Sequence, residues 1–331
     1  MKKGRRSTRK IEELPSLFSE DEVIQSKVGP QRVDSDREDG ALDDLMLDRE
    51  VLQPRSRLRF ISFGSGSSGN CSYVGSPENG LLVDAGVDAN FVSSELLRNG
   101  ISPSTIHGIL LTHDHGDHIS YVYTLVRRNP SWKIYATPRT IEGVLRRHSL
   151  SRRIRDYHHP IFKEHEYTFG DITVVPFETS HDGTDNSGFA FRHGACNMVI
   201  CTDTGIITER ADHYIRQATA LMIESNYDDS MLTANPHYPQ YLKARIRSDH
   251  GHLNNIDTAR YVADIHTNAL RHVFLCHLSD KNNLPEIALK EISDSLALRG
   301  IRLAASSAEI PDGAVYVEAL PRYRSSDLFV L

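Results

Sequence analysis

The chain has 331 residues, a formal net charge of -6 and 39% apolar side chains. That length suits one large domain or two ordinary ones. The acidic balance argues against attraction of nucleic acid over the whole surface, while leaving room for a local basic groove. No apolar run approaches the roughly 18 residues that a membrane-spanning helix needs. The basic start from Met1 to Lys10 is followed by no apolar stretch, so no secretory signal is expected. The cysteines Cys71, Cys196, Cys201 and Cys276 contain no CxxC pair and match neither a zinc ribbon nor a disulfide framework. Buried free thiols in a reducing cytoplasm are the expectation. Histidine is the compositional outlier, with 17 residues. An excess of the commonest metal ligand invites a search for clusters.

Residues 1 to about 56 read as a disordered arm. Lys2, Lys3, Arg5, Arg6, Arg9 and Lys10 make its start basic, and an acidic, serine-bearing stretch follows, from Glu20 to Asp44. Such a segment has too little apolar surface to offset its ordering entropy. The basic cluster is a candidate for nucleic-acid contact, although a solubilising tail is the plainer reading. The domain that follows is taken as 57–331. Leu58 to Phe63 alternates as a strand does, and a Gly/Ser loop runs from Gly64 to Asn70. Cys71 to Val74 and Leu81 to Val83 read as two more strands. Asn90 to Asn99 has helical spacing and stops at Gly100. Ile106 to Thr112 is a short apolar strand. Further helices are expected at about 117–128, 138–148, 236–247, 256–267 and 285–298. Further strands are expected at about 133–136, 172–178, 188–193, 197–202, 220–225 and 271–276, with Gly194 in a hairpin turn. This mixture suggests sheets covered by helices, a layered α/β architecture.

The chemistry concentrates at the end of the Ile106–Thr112 strand, where His113, Asp114, His115, Gly116, Asp117 and His118 follow one another. His113 and His115 lie two apart, so an extended segment points both the same way, towards one ion. Asp117 and His118 follow at the turn into a helix, which aims them at a second ion beside the first. Imidazole and carboxylate donors suit zinc, manganese or iron. A polar turn that happens to hold histidines is the bland alternative; three histidines and two aspartates in six residues speak against it.

This HxHxDH run after an apolar strand resembles the signature of the metallo-β-lactamase superfamily. The resemblance implies a four-layer αββα sandwich and further elements in a fixed order, each at a strand's end. Asp84 would orient a ligand histidine from behind. His181 follows one strand, Asp203 follows a hairpin strand, and His277 ends a late strand. The implied arrangement gives one ion His113, His115 and His181, gives the other Asp117, His118 and His277, and has Asp203 bridge them. Two divalent ions, zinc or manganese, would hold a bridging hydroxide as nucleophile.

Three segments are similar to one branch of that superfamily, the YycJ/WalJ-like exonucleases and phosphodiesterases. They run from Phe63 to Cys71, from Asp249 to Asn255 and from His277 to Asn283. The similarity spans roughly Arg57 to Ala305. The branch usually has serine at the place of Asn254. The expected reaction is cleavage of phosphodiester bonds, with DNA or another phosphodiester as substrate. Asp117, His277 and His252 are the catalytic candidates, His252 to hold a phosphate oxygen or protonate the leaving group. Ser67, Asn70, His252, Ser279 and Asn282 are the candidates for substrate contact, with Lys281 as a further groove residue. The stretch from Glu224 to Asp228 is expected at the rim. A glyoxalase-II-like thioester hydrolase shares the ligand set and is the main rival. A non-catalytic metal-stabilised scaffold would be expected to have lost ligands, and none is missing. A di-iron oxygen-reducing enzyme would need a carboxylate at the place of His115.

Overall fold

The apolar runs become strands that are covered on both faces. The computed structural model describes residues 57–331, so the arm expected over 1–56 lies outside the described residues. The first sheet is built from β1 (Arg59–Gly64), β2 (Cys71–Gly75), β3 (Gly80–Val83), β4 (Ile106–Leu110), β5 (Lys133–Ala136) and β6 (His158–Pro160). The second holds β7 (Tyr167–Phe169), β8 (Ile172–Glu178), β9 (Ser187–His193), β10 (Cys196–Cys201), β11 (Ala220–Glu224), β12 (His272–Cys276), β13 (Arg302–Leu303) and β14 (Ala314–Ala319). The last strand, β15 (Phe329–Val330), returns to the first sheet and pairs with β1. The strand orders are β15-β1-β2-β3-β4-β5-β6 and β13-β14-β12-β11-β10-β9-β8-β7. Each sheet opens with antiparallel hairpins and goes over to parallel pairing, at β3–β4 in one and β10–β11 in the other. The parallel crossovers carry most of the helices: α1 (Ala89–Arg98), α2 (Gly116–Ile119), α3 (Val122–Arg128), α4 (Pro138–Arg147), α5 (Glu209–Ile215), α6 (Asp229–Ala234), α7 (Gln240–Ile246), α8 (Asn255–Ile265) and α9 (Pro285–Leu298).

The period-2 alternation of strands divides the apolar residues among three layers. Phe60, Leu81, Val83, Met198, Ile200, Met222 and Phe274 fill the space between the sheets. Their neighbours Ile61, Phe63 and Leu82 face the other way, under α1, α3 and α4. Val199, Leu221, Ile223, Val273 and Leu275 likewise lie under α5, α8 and α9. The order of layers is therefore helix, sheet, sheet, helix. Each fully buried aliphatic or aromatic side chain contributes roughly 1.5–3 kcal/mol. All four cysteines are buried and unbridged.

The helix expected over 117–128 is two helices. The amide of Tyr121 donates to the carbonyl of Ala85 at 2.8 Å, which pulls the chain out of helical register between α2 and α3. The helix expected from 236 starts at Gln240, because Pro236 and Pro239 stand in its first turns. The segments Glu209–Ile215 and Ala314–Ala319, assigned to no element from the sequence, are α5 and β14. Asn254 caps α8 by accepting the amide of Asp257 at 2.8 Å. Serine and asparagine are equally good caps, which accounts for the departure at this position.

Candidate metal centre

The donors gather where strands of both sheets end. His113 to His118 follow β4, His181 follows β8, Asp203 follows β10, and His277 follows β12. Only four non-glycine residues among those described have left-handed backbone, and three of them are Asp84, Asp203 and His277, with φ of 62°, 50° and 53°. That conformation costs of order 1–3 kcal/mol each and persists where surrounding contacts enforce it. Here it turns the chain sharply at the strand ends and aims the side chains into one cleft. Gly86 is a close backbone approach: a Cβ there would lie 1.6 Å from the carbonyl oxygen of Asp117. Around it the amide of Asn70 donates to that same carbonyl, and the amide of Gly86 donates to the carbonyl of Asn70, both at 2.8 Å.

The structure brings together His113, His115 and His181 as one group of potential donors within 4.8 Å of one another, and Asp117, His118 and His277 as a second. Asp203 lies between them, 2% exposed. Its Oδ2 is 3.9 Å from His113 Nε2 and 3.7 Å from His181 Nε2. Its Oδ1 is 3.5 Å from His118 Nε2 and 3.3 Å from His277 Nδ1. The two carboxylate oxygens are thus divided between the two groups.

Each imidazole has one nitrogen tied to an outer partner. His113 Nδ1 meets Thr112 Oγ1 at 2.9 Å, and His118 Nδ1 meets Asp84 Oδ2 at 2.7 Å. His181 Nδ1 donates to the Gly251 carbonyl at 2.9 Å, and His277 Nδ1 donates to Glu224 Oε1 at 2.9 Å. His115 Nε2 lies 3.4 Å from Asp182 Oδ1. Such partners fix the tautomer and leave the other nitrogen for an ion. His113 Nε2 and His277 Nε2 are buried without any hydrogen-bond partner among the described residues. A buried polar atom left so is costly unless something else satisfies it. A cation held by these groups would satisfy them, and the imidazole and carboxylate side chains suit a divalent transition metal.

The electrostatics differ between the two groups. Burial holds His113, His115 and His181 below the ordinary imidazole range. Burial acts the same way on His118 and His277, but the surrounding carboxylates prevail. Asp203, Asp84 and Asp117 keep His118 well above its ordinary value, and Asp203 with Asp117 and Glu224 pushes His277 up to about 10.

Glu224 stands at the centre of the cleft, a correction to its expected place on the rim. It is fully buried at the end of β11. Its Oε1 accepts from His252 Nδ1 at 2.7 Å as well as from His277, and its Oε2 accepts the amide of Thr204 at 2.9 Å. The signal was present in the sequence as a carboxylate closing an apolar strand, as Asp84 does. Asp182 is a second residue not singled out from the sequence. It lies beside His115 and His181 and is ion-paired with Arg245. The His252 ring lies between those of His181 and His277, with centroids 4.9 and 5.3 Å away. Glu224 raises its pKa against the effect of burial.

The other substrate-contact candidates are placed as follows. Ser67 is exposed in the Gly/Ser loop. Asn70 is buried, and its Nδ2 lies 3.2 Å from Asp117 Oδ2 and 3.0 Å from His118 Nε2, so it braces the donors. Ser279 and Asn282 are engaged with each other, and Asn282 Oδ1 accepts from Asn235. Lys281 pairs with Asp280. Asp228 caps α6. A concavity of about 500 Å³ against Arg271 and His272 has none of the donors in its lining.

The chain is similar to several known proteins. A Beta-lactamase superfamily domain matches residues 79–278. Exodeoxyribonuclease YycJ of Bacillus anthracis is 35% identical over 243 residues, which cover 73% of this chain and 90% of that protein. Exodeoxyribonuclease WalJ of Streptococcus pneumoniae is 33% identical over 240 residues, 72% of this chain and 88% of that one. Among solved structures, the metallo-β-lactamase fold protein YhfI from Bacillus subtilis superposes with a TM-score of 0.60 at 16% identity, covering 84% of this chain and all of that one. Zinc-bound PqqB from Methylobacterium extorquens gives 0.57 at 16% identity, with 81% and 99% covered. These two share the fold. By its sequence match to YycJ and WalJ along most of their length, the chain belongs to the metallo-β-lactamase superfamily of metal-dependent hydrolases, in the branch that holds those proteins.

Proposed function

We propose that this chain hydrolyses phosphodiester bonds in DNA, as an exonuclease, with two divalent ions, zinc or manganese. The observation that carries the reading is the identity of 35% and 33% to two proteins named as exodeoxyribonucleases, along about nine-tenths of each. The donor geometry is compatible with it. His113, His115 and His181 would hold one ion, and Asp117, His118 and His277 the other, with Asp203 offering an oxygen to each. When bound, the ions supply Lewis acidity, which activates water at neutral pH and offsets the charge that builds on a reacting phosphate.

The chain's own groups do the rest. Asp84, Thr112, Gly251 and Glu224 orient the donor imidazoles. Glu224 accepts a 2.7 Å hydrogen bond from Nδ1–H of His252, which leaves Nε2 for the substrate. With its pKa raised by Glu224, His252 is the group that passes a proton to the leaving oxygen.

The test is a hydrolysis panel with added manganese or zinc. It contains 5′-labelled single- and double-stranded DNA, bis-p-nitrophenyl phosphate and a glutathione thioester, with His115→Ala as the blank. Metal-dependent release of nucleotides, absent from the blank, is the expected outcome. Thioester turnover with DNA left intact would replace the reading with a glyoxalase-like one.

A further inference from the structure

We infer that the arginine-rich face of α4 and the 3-10 turn that follows it (Arg152–Asp156) binds the sugar–phosphate backbone of a nucleic-acid strand whose end lies at the metal centre. The inference rests on the phosphodiesterase reading and adds to it the surface that holds a polymeric substrate.

The charge distribution is the first observation. Between Arg127 and Asp156 the chain carries nine Lys and Arg residues and two carboxylates, Glu142 and Asp156, a net +7 within a chain of net -6. A face that concentrates charge of this sign draws polyanions. Placement is the second. Arg139, Glu142 and Arg146 recur at helical spacing along one exposed face of α4. Arg146, Arg152 and Arg155 line a common concavity of about 200 Å³ with Glu142 and Leu145. Among the described residues no carboxylate is paired with Arg139, Arg146, Arg152 or Arg155, whereas Arg147 and Arg153 have Asp114 and Asp156.

Continuity with the metal centre is the third. The end of α4 is tied to the donor motif itself: His148 Nε2 lies 2.7 Å from the carbonyl of Asp114, and Arg147 Nη1 lies 3.4 Å from its carboxylate. Asp114 stands between His113 and His115. Arg146 reaches Thr184, in the loop that begins at His181. The basic face therefore starts one residue from the donors and runs outward from them. Guanidinium groups match phosphate in a planar, two-pronged way, which favours a phosphate chain as occupant. None of the large exposed apolar side chains falls between Arg127 and Arg155, so the face has nothing to insert into a lipid surface.

The experiment uses the full chain loaded with manganese and the triple variant Arg146→Gln, Arg152→Gln, Arg155→Gln, with circular dichroism and metal content measured for both. Substrates are a 5′-labelled single strand of about 30 nucleotides and bis-p-nitrophenyl phosphate, over a range of salt. The expected result is a KM for the strand raised roughly tenfold or more, and a salt dependence of log kcat/KM shallower by about 2. The ratio of strand to small-diester turnover should fall by a similar factor. If the wild type cleaves both substrates and the variant keeps its KM and salt slope, the proposal falls and the phosphodiesterase reading stands. If the wild type cleaves neither, that reading fails and the proposal fails with it. Equal losses on both substrates would assign the arginines to support of the metal centre and overturn the proposal. Variant-sensitive sedimentation with phosphatidylserine vesicles, at unchanged KM for the strand, would assign the face to a membrane and overturn it as well.

Discussion

At the scale of single residues, the centre works through pairs in which one group sets the state of another. Glu224 is the most connected of these, since one oxygen serves both His252 and His277 and the other holds the amide of Thr204. Its charge raises the pKa of His252, and a protonated His252 is the form that can act as an acid. Replacing Glu224 with Gln removes that charge, so the pKa of His252 falls and its proton is lost at lower pH. The descending alkaline limb of the pH–rate profile should therefore move towards acid in Glu224→Gln. An unmoved limb would show that His252 does not supply the proton.

The elements place donors because their ends coincide. β3, β4, β8, β10, β11 and β12 all terminate at the same edge, as strands of open α/β sheets commonly do around a ligand. Close approach of the loops is what holds those ends together. Gly86 sits where no side chain fits, against the carbonyl of Asp117. Gly86→Ala should push α2 outward, carrying Asp117 and His118 away from His277. We expect the variant to keep its near-native circular dichroism but to bind one equivalent of metal fewer, with turnover reduced by roughly 100-fold or more. Full metal content and activity would show that the loop yields without consequence. From the sequence, most of these elements are legible within a residue or two, because apolar runs and caps are local signals. The break at Tyr121 is not, since its cause is a hydrogen bond to Ala85, on another segment.

The described residues form two sheets joined by their buried faces, with the candidate donors gathered at one edge. Each donor group takes residues from both sheets: His181 joins His113 and His115, and His277 joins Asp117 and His118. Ions bound there would tie the sheets together, and their removal should lower thermal stability without unfolding the three apolar layers. At free metal about a thousand times above Kd, each site adds about 4 kcal/mol, and in a chain of this size each kcal/mol moves Tm by roughly 2–4 °C. Uptake should also release protons unequally. The surrounding carboxylates favour the protonated forms of His118 and His277 in the metal-free protein, whereas burial disfavours protonation of His113, His115 and His181. Filling the Asp117, His118 and His277 group expels those protons, so its affinity rises with pH and its benefit to Tm shrinks as pH falls. Titration calorimetry in buffers of different ionisation enthalpy reads this directly. Equal proton release at both sites would refute the asymmetry.

The amino-acid sequence by itself determined the types of the candidate donor residues, their order along the chain and the strands that precede them. Period-2 alternation, helix caps and the HxHxDH spacing act over a few residues, and so they are readable one segment at a time. Only the tertiary structure decided that Glu224 lies at the centre, that Asp182 stands beside His115, and that α4 lays its arginines next to Asp114. It also decided that β15 closes the sheet begun by β1, more than two hundred residues earlier. These contacts join segments far apart in the chain, and they come into being through strand pairing and layer packing, which no local pattern encodes.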